Sequence, residues 1–144
     1  MQFGEIIGDL LINLQSIIRK NISFQSASFQ QLLGLFVLEL DGMEMTNFAL
    51  KLGVDNSTAT RMIIGLEEKG WVQRSQHIRD RRIVKVSLTT LGLKMQNKLE
   101  KQLQKIGKNI QQDMDTKMEE DILESIKSLN WILLKIKLNN IKIV

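Results

Sequence analysis

The sequence of 144 residues contains no cysteine, no proline and no tyrosine, and it contains one histidine, His77. The absence of cysteine excludes a disulfide scaffold, a thiolate metal site, a thiol redox switch and a cysteine nucleophile. No apolar run approaches the roughly 20 residues that span a bilayer, and the first ten residues include acids where a secretory signal has bases. We therefore expect a cytoplasmic protein with no membrane partner.

The remaining composition is that of an ordinary globular protein. Hydrophobic residues make up 43% of the chain and charged residues 25%, which is too apolar for a disordered protein. Because domains commonly contain about 100 to 150 residues, we expect a single domain over residues 1–144.

The net charge of +4 is unevenly distributed along the chain. Six bases and one acid lie between residues 69 and 85, so this segment carries +5 and the rest of the chain −1. A basic cluster of this kind is typical of proteins that neutralise nucleic-acid phosphates. From charge alone, a solvated basic loop is the alternative interpretation. The bases are Lys69, Arg74, Arg79, Arg81, Arg82 and Lys85.

Apolar periodicity predicts a mostly α-helical protein that contains one β-hairpin. The first predicted helix has an apolar stripe about half its circumference wide, which predicts burial on two sides. The turn residues Asp41 and Gly42 are expected to end the second helix. The predicted helices cover 3–20, 29–40, 44–52, 56–69, a long helix from Thr89 or Thr90, and one from about Thr116; the predicted strands cover 71–75 and 82–88.

The two short helices, 44–52 and 56–69, have the signals of a helix-turn-helix. Gly53 ends the first helix, Asp55 is a natural N-cap for the second, and Gly70 ends it. On a helical wheel, the apolar residues of the second helix share one face, which leaves the opposite face small, polar and basic. The apolar face contains Ala59, Met62, Ile63 and Leu66, and the opposite face contains Ser57, Thr60, Arg61, Ile64 and Glu68.

The polar face of the second short helix suits a DNA major groove. Arg61 can donate two hydrogen bonds to a guanine, and Ile64 can contact a thymine methyl group. Ser57 and Thr60 can bind bases or phosphates. The alternative is that Ile64 contacts another part of the protein and Arg61 is simply solvated.

Four stretches of the sequence carry a family resemblance: 48–61, 66–74, 80–82 and 86–92. Together they resemble the winged-helix core of the MarR family of bacterial transcription regulators. The most specific part is the sequence Asp-Arg-Arg at 80–82, followed by a strand that ends in Leu-Thr and by Gly92. The flanking helices match the family in length, order and pattern only.

The resemblance implies a homodimeric regulator, expected to be a ligand-responsive repressor, that binds a pseudo-palindromic operator in double-stranded DNA. It implies that 43–89 is the winged helix-turn-helix lobe and that 1–40 and 90–144 supply dimerisation helices. The recognition helix would be 55–69 and the wing tip 75–82. Separately from the resemblance, terminal helices this apolar would leave a large exposed stripe, which self-association would cover; packing within one chain is the alternative.

The resemblance also implies roles for the wing residues. Asp80 would pair with Arg82 and hold the wing, so that Arg79 and Arg81 reach a minor groove, whose negative potential attracts arginine. The wing is compact and lacks a proline, which leaves open which arginine lies at the tip. The predicted DNA-binding residues are Asn56, Ser57, Thr58, Thr60, Arg61, Ile64, Arg74, Arg79 and Arg81.

Catalysis has little support in this sequence. His77 has no matching nucleophile motif, and the acidic residues before the last helix suit a solvated helix start better than a metal site. We expect no enzyme, no cofactor and no metal.

The rival function is a winged-helix protein-interaction module that uses its basic hairpin on an acidic partner. Regulators of this resemblance often bind a small amphipathic or aromatic effector, for which the candidate pocket residues, with plain core as the alternative, are Phe24, Phe29, Phe36 and Met95.

Overall fold

A computed structural model describes residues 2–24 and 26–139. The chain divides into two compact units, Met1–Ile106 and Gly107–Val144. The elements in chain order are α1 (Phe3–Asn21), α2 (Phe29–Val37), β1 (Met43–Glu44), α3 (Met45–Leu52), α4 (Asn56–Glu68), β2 (Val72–Gln76), β3 (Val84–Leu88), α5 (Thr90–Gln111) and α6 (Thr116–Leu138). The prediction of a mostly helical protein with one hairpin is confirmed.

The sheet is small and antiparallel, with the strand order β1-β3-β2. The hairpin strands β2 and β3 were predicted, with ends that differ by one or two residues from those observed. Strand β1 was not predicted, since two residues are too short to show an alternating pattern. Met43 of β1 pairs with Val86 of β3, and Arg74 of β2 pairs with Val86 from the other side. The middle strand therefore ties the start of α3 to the hairpin.

Helix α2 ends at Val37, so the prediction that it continues to Leu40 is wrong. Leu38 has an extended backbone, and the buried side chain of Gln96 donates from Nε2 to the carbonyl oxygens of Leu35 (2.9 Å) and Leu38 (2.8 Å). The last carbonyls of a helix have no partner within the helix. Gln96 provides that partner from α5, which local sequence does not reveal.

The hydrophobic core lies in the first unit, between α2, α3, α4, the sheet and the first half of α5. Trp71 is its largest fully buried side chain and packs edge-on against Phe24, with ring centroids 5.6 Å apart. Gly92 of α5 lies so close to the Trp71 carbonyl that a Cβ atom would overlap the backbone there. Glycine is therefore a packing requirement at the start of α5. The fully buried large side chains are Leu35, Phe48, Ile63, Leu66, Trp71 and Val86.

Helix α1 contributes no fully buried residue, so the prediction that it is buried on two sides is wrong for the single chain. Ile18 alone among its residues packs against the core, and it is partly buried. The stripe is apolar enough to be buried, but most of its side chains are exposed in the single chain. The exposed apolar residues of α1 are Phe3, Ile6, Ile7, Leu10, Leu11, Leu14 and Ile17 along the stripe, and Ile12 on the other side.

The second unit contains the end of α5 and helix α6. Asp115 caps α6 by accepting a hydrogen bond from the Met118 amide at 2.8 Å, which agrees with a solvated helix start. Helix α6 has no fully buried residue, and Lys135 lies 4.0 Å from the ring centre of its exposed Trp131. Within residues 2–24 and 26–139, no helix is long and apolar enough to cross a membrane, and no three acidic or histidine side chains are grouped as metal ligands.

Candidate nucleic-acid interface

Helix α4 begins with a complete N-terminal cap, as predicted. The Asp55 carboxylate accepts hydrogen bonds from the Thr58 amide at 2.7 Å and from the Ser57 hydroxyl at 2.9 Å. The bond from the Thr58 amide is the main cause that lowers the pKa of Asp55 to about 2, and the side-chain bonds add to it. Gly53 takes a left-handed backbone, with φ +68°, in the turn before the cap. These local interactions set the direction in which α4 leaves the turn.

One face of α4 is buried and the other is exposed, in the division that the helical wheel predicted. Ala59, Ile63 and Leu66 are fully buried, and Met62 is almost so. Ile64 is 39% exposed, which places this apolar side chain on the surface of the single chain. Of the predicted DNA-binding residues of α4, Asn56, Ser57, Arg61 and Ile64 are exposed, whereas Thr58 and Thr60 are half-buried.

Arg61 is the strongest hydrogen-bond donor on the exposed face of α4. One of its terminal nitrogens donates to the Thr58 hydroxyl at 3.3 Å, and a guanidinium carries five N–H groups in total. The Thr60 hydroxyl donates to the Asn56 carbonyl at 2.8 Å, so its proton is used within the helix. Arg61 therefore has the donors and the exposure needed to reach the edge of a base.

The loop between β2 and β3, residues 77–83, contains an ion pair between Asp80 and Arg82. The Asp80 carboxylate accepts hydrogen bonds from the Arg82 amide at 3.0 Å and from the Arg82 guanidinium, at 3.1 Å from both Nε and Nη2. The side-chain bonds are the larger cause that lowers the pKa of Asp80. Arg79 and Arg81, on either side of Asp80, are exposed. We name residues 77–83 the wing loop.

Arg74 lies on β2 and is held by helix α4. Its Nε atom is 2.9 Å from a carboxylate oxygen of Glu67, and both side chains are about a third exposed. This pair was not predicted, since no local sequence pattern indicates that Glu67 and Arg74 come together across the turn. The pair neutralises part of the basic segment and joins the recognition-helix candidate to the hairpin.

The four candidate pocket residues are dispersed in the structure. Phe24 and Met95 are buried in the core, Phe29 is partly buried beneath the guanidinium of Arg19 at 4.7 Å, and Phe36 is 50% exposed. For Phe24 and Met95, the core interpretation that was left open describes their surroundings.

A groove of about 640 Å³ runs along the first half of α5. Met95 contributes to its lining, together with Leu93 and three lysines at a spacing of four and three residues. This groove was not predicted from the sequence, although the spacing of the lysines indicates that they share one face of α5. The lining residues are Thr90, Leu93, Lys94, Met95, Asn97, Lys98 and Lys101.

Comparison with known proteins shows which family this chain resembles. A family model described as the MarR family matches residues 30–84, which include α2, the helix-turn-helix and the hairpin up to the start of β3. Over these residues the chain is similar to the MarR family. The resemblance to the MarR family that the sequence predicted is confirmed over this segment.

A curated relative and two solved structures agree with this resemblance. The HTH-type transcriptional regulator SarZ of Staphylococcus saprophyticus is 26% identical over 123 residues, which cover 81% of this chain and 82% of SarZ. The crystal structure of MarR is 17% identical, covers 95% of this chain and 94% of its own, and superposes with a TM-score of 0.82. Streptococcus pneumoniae FabT, crystallised in complex with DNA, is 19% identical, with coverages of 92% and 93% and a TM-score of 0.73. The two solved structures show that the fold is shared.

Proposed function

We propose that this chain is a homodimeric, sequence-specific DNA-binding repressor that acts in the cytoplasm on a pseudo-palindromic operator. The observation that carries the proposal is the exposed face of α4, which has a capped polar N-terminal end, Arg61 and Ile64 on its surface, and a strongly basic hairpin beside it. Such a face suits the major groove, where the first turns of a recognition helix meet the base edges.

Each part of this surface has a role in the proposal. Arg61 and Ile64 contact bases, while Asn56, Ser57, Thr58 and Thr60 at the start of α4 bind phosphates and base edges. Arg79 and Arg81 of the wing loop enter the minor groove, and Asp80 holds Arg82 in an ion pair. Arg74 contacts a phosphate once its pairing with Glu67 is loosened.

The dimer is proposed from the uncovered terminal helices. The apolar stripe of α1 is exposed along its length, and α6 exposes Leu123, Ile126, Leu133 and Leu134. Contiguous apolar surface on this scale typically marks an interface. We assign residues 1–40 and 90–144 to dimerisation and 43–89 to DNA binding. Two-fold symmetry then brings two copies of α4 to successive major grooves about 34 to 36 Å apart.

We also propose that an effector binds in the α5 groove. Its lining combines the apolar side chains of Leu93 and Met95 with the three lysines. This combination suits a small amphipathic or aromatic molecule with an acidic group. Such a ligand changes DNA affinity by favouring one separation of the two recognition helices over another.

The decisive experiment is the selection of bound duplexes from a random pool, followed by affinity measurements at several salt concentrations. We expect a two-fold symmetric site and a steep loss of affinity with salt, because phosphate contacts release counterions. Arg61→Ala is expected to cost about 1 to 3 kcal/mol on the selected site and little on random DNA. Arg79→Ala is expected to weaken both and to reduce the salt slope. Weak binding with a flat salt response would favour the rival protein-interaction module.

A further inference from the structure

Ile78 is the most exposed large apolar side chain in the described part of the chain. Its exposed fraction is 100%, whereas no other large apolar residue in residues 2–24 and 26–139 exceeds 75%. Single exposed apolar residues are common on protein surfaces, so exposure alone does not indicate a function for Ile78. Its position is unusual, because it lies in the wing loop between His77 and Arg79, in the most basic segment of the chain.

Hydrogen bonds within the wing loop hold the segment on both sides of Ile78. The His77 amide donates to the Ile83 carbonyl at 2.9 Å, which closes the loop at the end of the hairpin. The Arg79 amide donates to Nδ1 of His77 at 3.2 Å, which turns the backbone on either side of Ile78. These bonds define the backbone conformation on both sides of Ile78.

The charges around Ile78 indicate what it meets. Arg79 and Arg81 are exposed next to it, while Arg82 is paired with Asp80. DNA provides an acidic surface that accepts two arginines and also takes a neighbouring apolar side chain. Phosphates line both sides of a groove, the base-pair edges form its floor, and an inserted apolar side chain reaches the base faces by opening a step.

We propose that Ile78 is a wedge that enters the minor groove and partly unstacks one base-pair step flanking each half-site. The proposal rests on the proposed DNA-binding function and adds a way in which the protein distinguishes DNA sequences, through how easily a base step unstacks. Apolar side chains inserted from the minor groove separate base steps and kink the duplex. Pyrimidine–purine steps unstack most easily, so Ile78 selects such a step without a hydrogen bond to any base.

The test uses the full chain and the duplex recovered by selection, with 2-aminopurine replacing adenine at each pyrimidine–adenine step beside the half-site. Unstacking raises the fluorescence of this base. We expect the wild-type protein to raise the fluorescence at one such step in each half-site. Ile78→Thr, which keeps the branched shape but adds a hydroxyl, is expected to abolish the rise and to weaken binding about tenfold. Its salt slope stays unchanged, because no charge is altered.

Ile78→Leu is the matched control, since it keeps an apolar side chain of the same size and should retain the fluorescence rise. Both variants should fold normally because Ile78 is fully exposed and lies outside the core. Wild-type binding without a fluorescence rise, or Ile78→Thr with an undiminished rise and affinity, overturns the wedge and leaves the DNA-binding function intact. Weaker binding of Ile78→Thr with no wild-type rise also overturns it and indicates that Ile78 contacts the duplex without unstacking a base step. Failure of the wild-type chain to bind any duplex removes the proposed function itself.

Discussion

Helix α1 and the helix-turn-helix pair α3–α4 are both rich in apolar side chains at helical spacing, yet these side chains differ in burial. Phe48, Ile63 and Leu66 of the pair are fully buried, whereas Leu10 and Leu14 of α1 are each more than 40% exposed. The difference lies in the partner surfaces. The pair packs on α2 and the sheet, and α1 meets the core only at Ile18. Apolar periodicity therefore shows which face of a helix favours burial, and tertiary structure decides whether residues of the same chain bury it.

The largest effect is expected from placing a charge in the uncovered stripe of α1. If α1 is covered by a second copy, Leu10→Asp buries an unpaired carboxylate in the dimer, which should cost about 4 kcal/mol, or roughly a thousandfold in dissociation constant. Helix content should not change, because Leu10 is not part of the core. Ile12, on the other side of α1, is the matched position, and Ile12→Asp should leave the dimer intact. Sedimentation measures both, and a Leu10→Asp dimer as tight as the wild type would mean that α1 is not the interface.

The next largest effect is expected at Gly92, on the packed side of the comparison. Gly92→Ala places a methyl group against the Trp71 carbonyl, and a backbone atom cannot move aside as a flexible side chain can. We expect the free energy of unfolding to fall by about 3 kcal/mol, measured in urea at a fixed protein concentration.

Gly107 is the control on the same helix, because a Cβ atom there meets nothing within 4 Å. Gly107→Ala should raise stability by up to about 1 kcal/mol through helix propensity alone. Equal effects at the two glycines would contradict the close approach at Gly92.

A smaller effect is expected at Gln96, which joins α5 to the end of α2. Gln96→Leu leaves the carbonyls of Leu35 and Leu38 buried without their donor, at an expected cost of about 2 kcal/mol. The exposed Gln104 on the same helix is the control, and Gln104→Leu should change stability by less than about 0.5 kcal/mol. If both variants unfold at the wild-type urea concentration, the α2 carbonyls find another partner.

The smallest effect is a pH dependence at the exposed cap of α4. Because hydrogen bonds lower the pKa of Asp55 to about 2, its stabilising contribution is complete above the unfolded value of about 4 and is lost as pH falls towards 2. Asn is also a good N-cap but does not titrate. Wild-type stability relative to Asp55→Asn should therefore decrease between pH 4 and pH 2. Parallel urea midpoints for the two proteins over this range would contradict the lowered pKa.

Much of the fold and of the candidate site was predictable because its signals are local. Gly53, Asp55 and Gly70 mark the ends of α3 and α4 within a few residues of the features they create, and the four apolar residues of α4 lie on its buried face. The capping of α2 by Gln96 and the pairing of Arg74 with Glu67 were not predictable. These partners are distant in sequence or are brought together by a turn, so no periodic pattern records them.

The amino-acid sequence by itself determined the order of the helices, the hairpin, the polar face of α4 and the segment that carries the positive charge. Each of these follows from side-chain spacing and hydrogen bonding over a few residues. Only the tertiary structure decided that α2 ends at Val37, that α5 needs a glycine against Trp71, and that α1 stays uncovered. Those outcomes depend on which distant surfaces meet when the chain closes, and a local pattern contains no information about the surface that will face it.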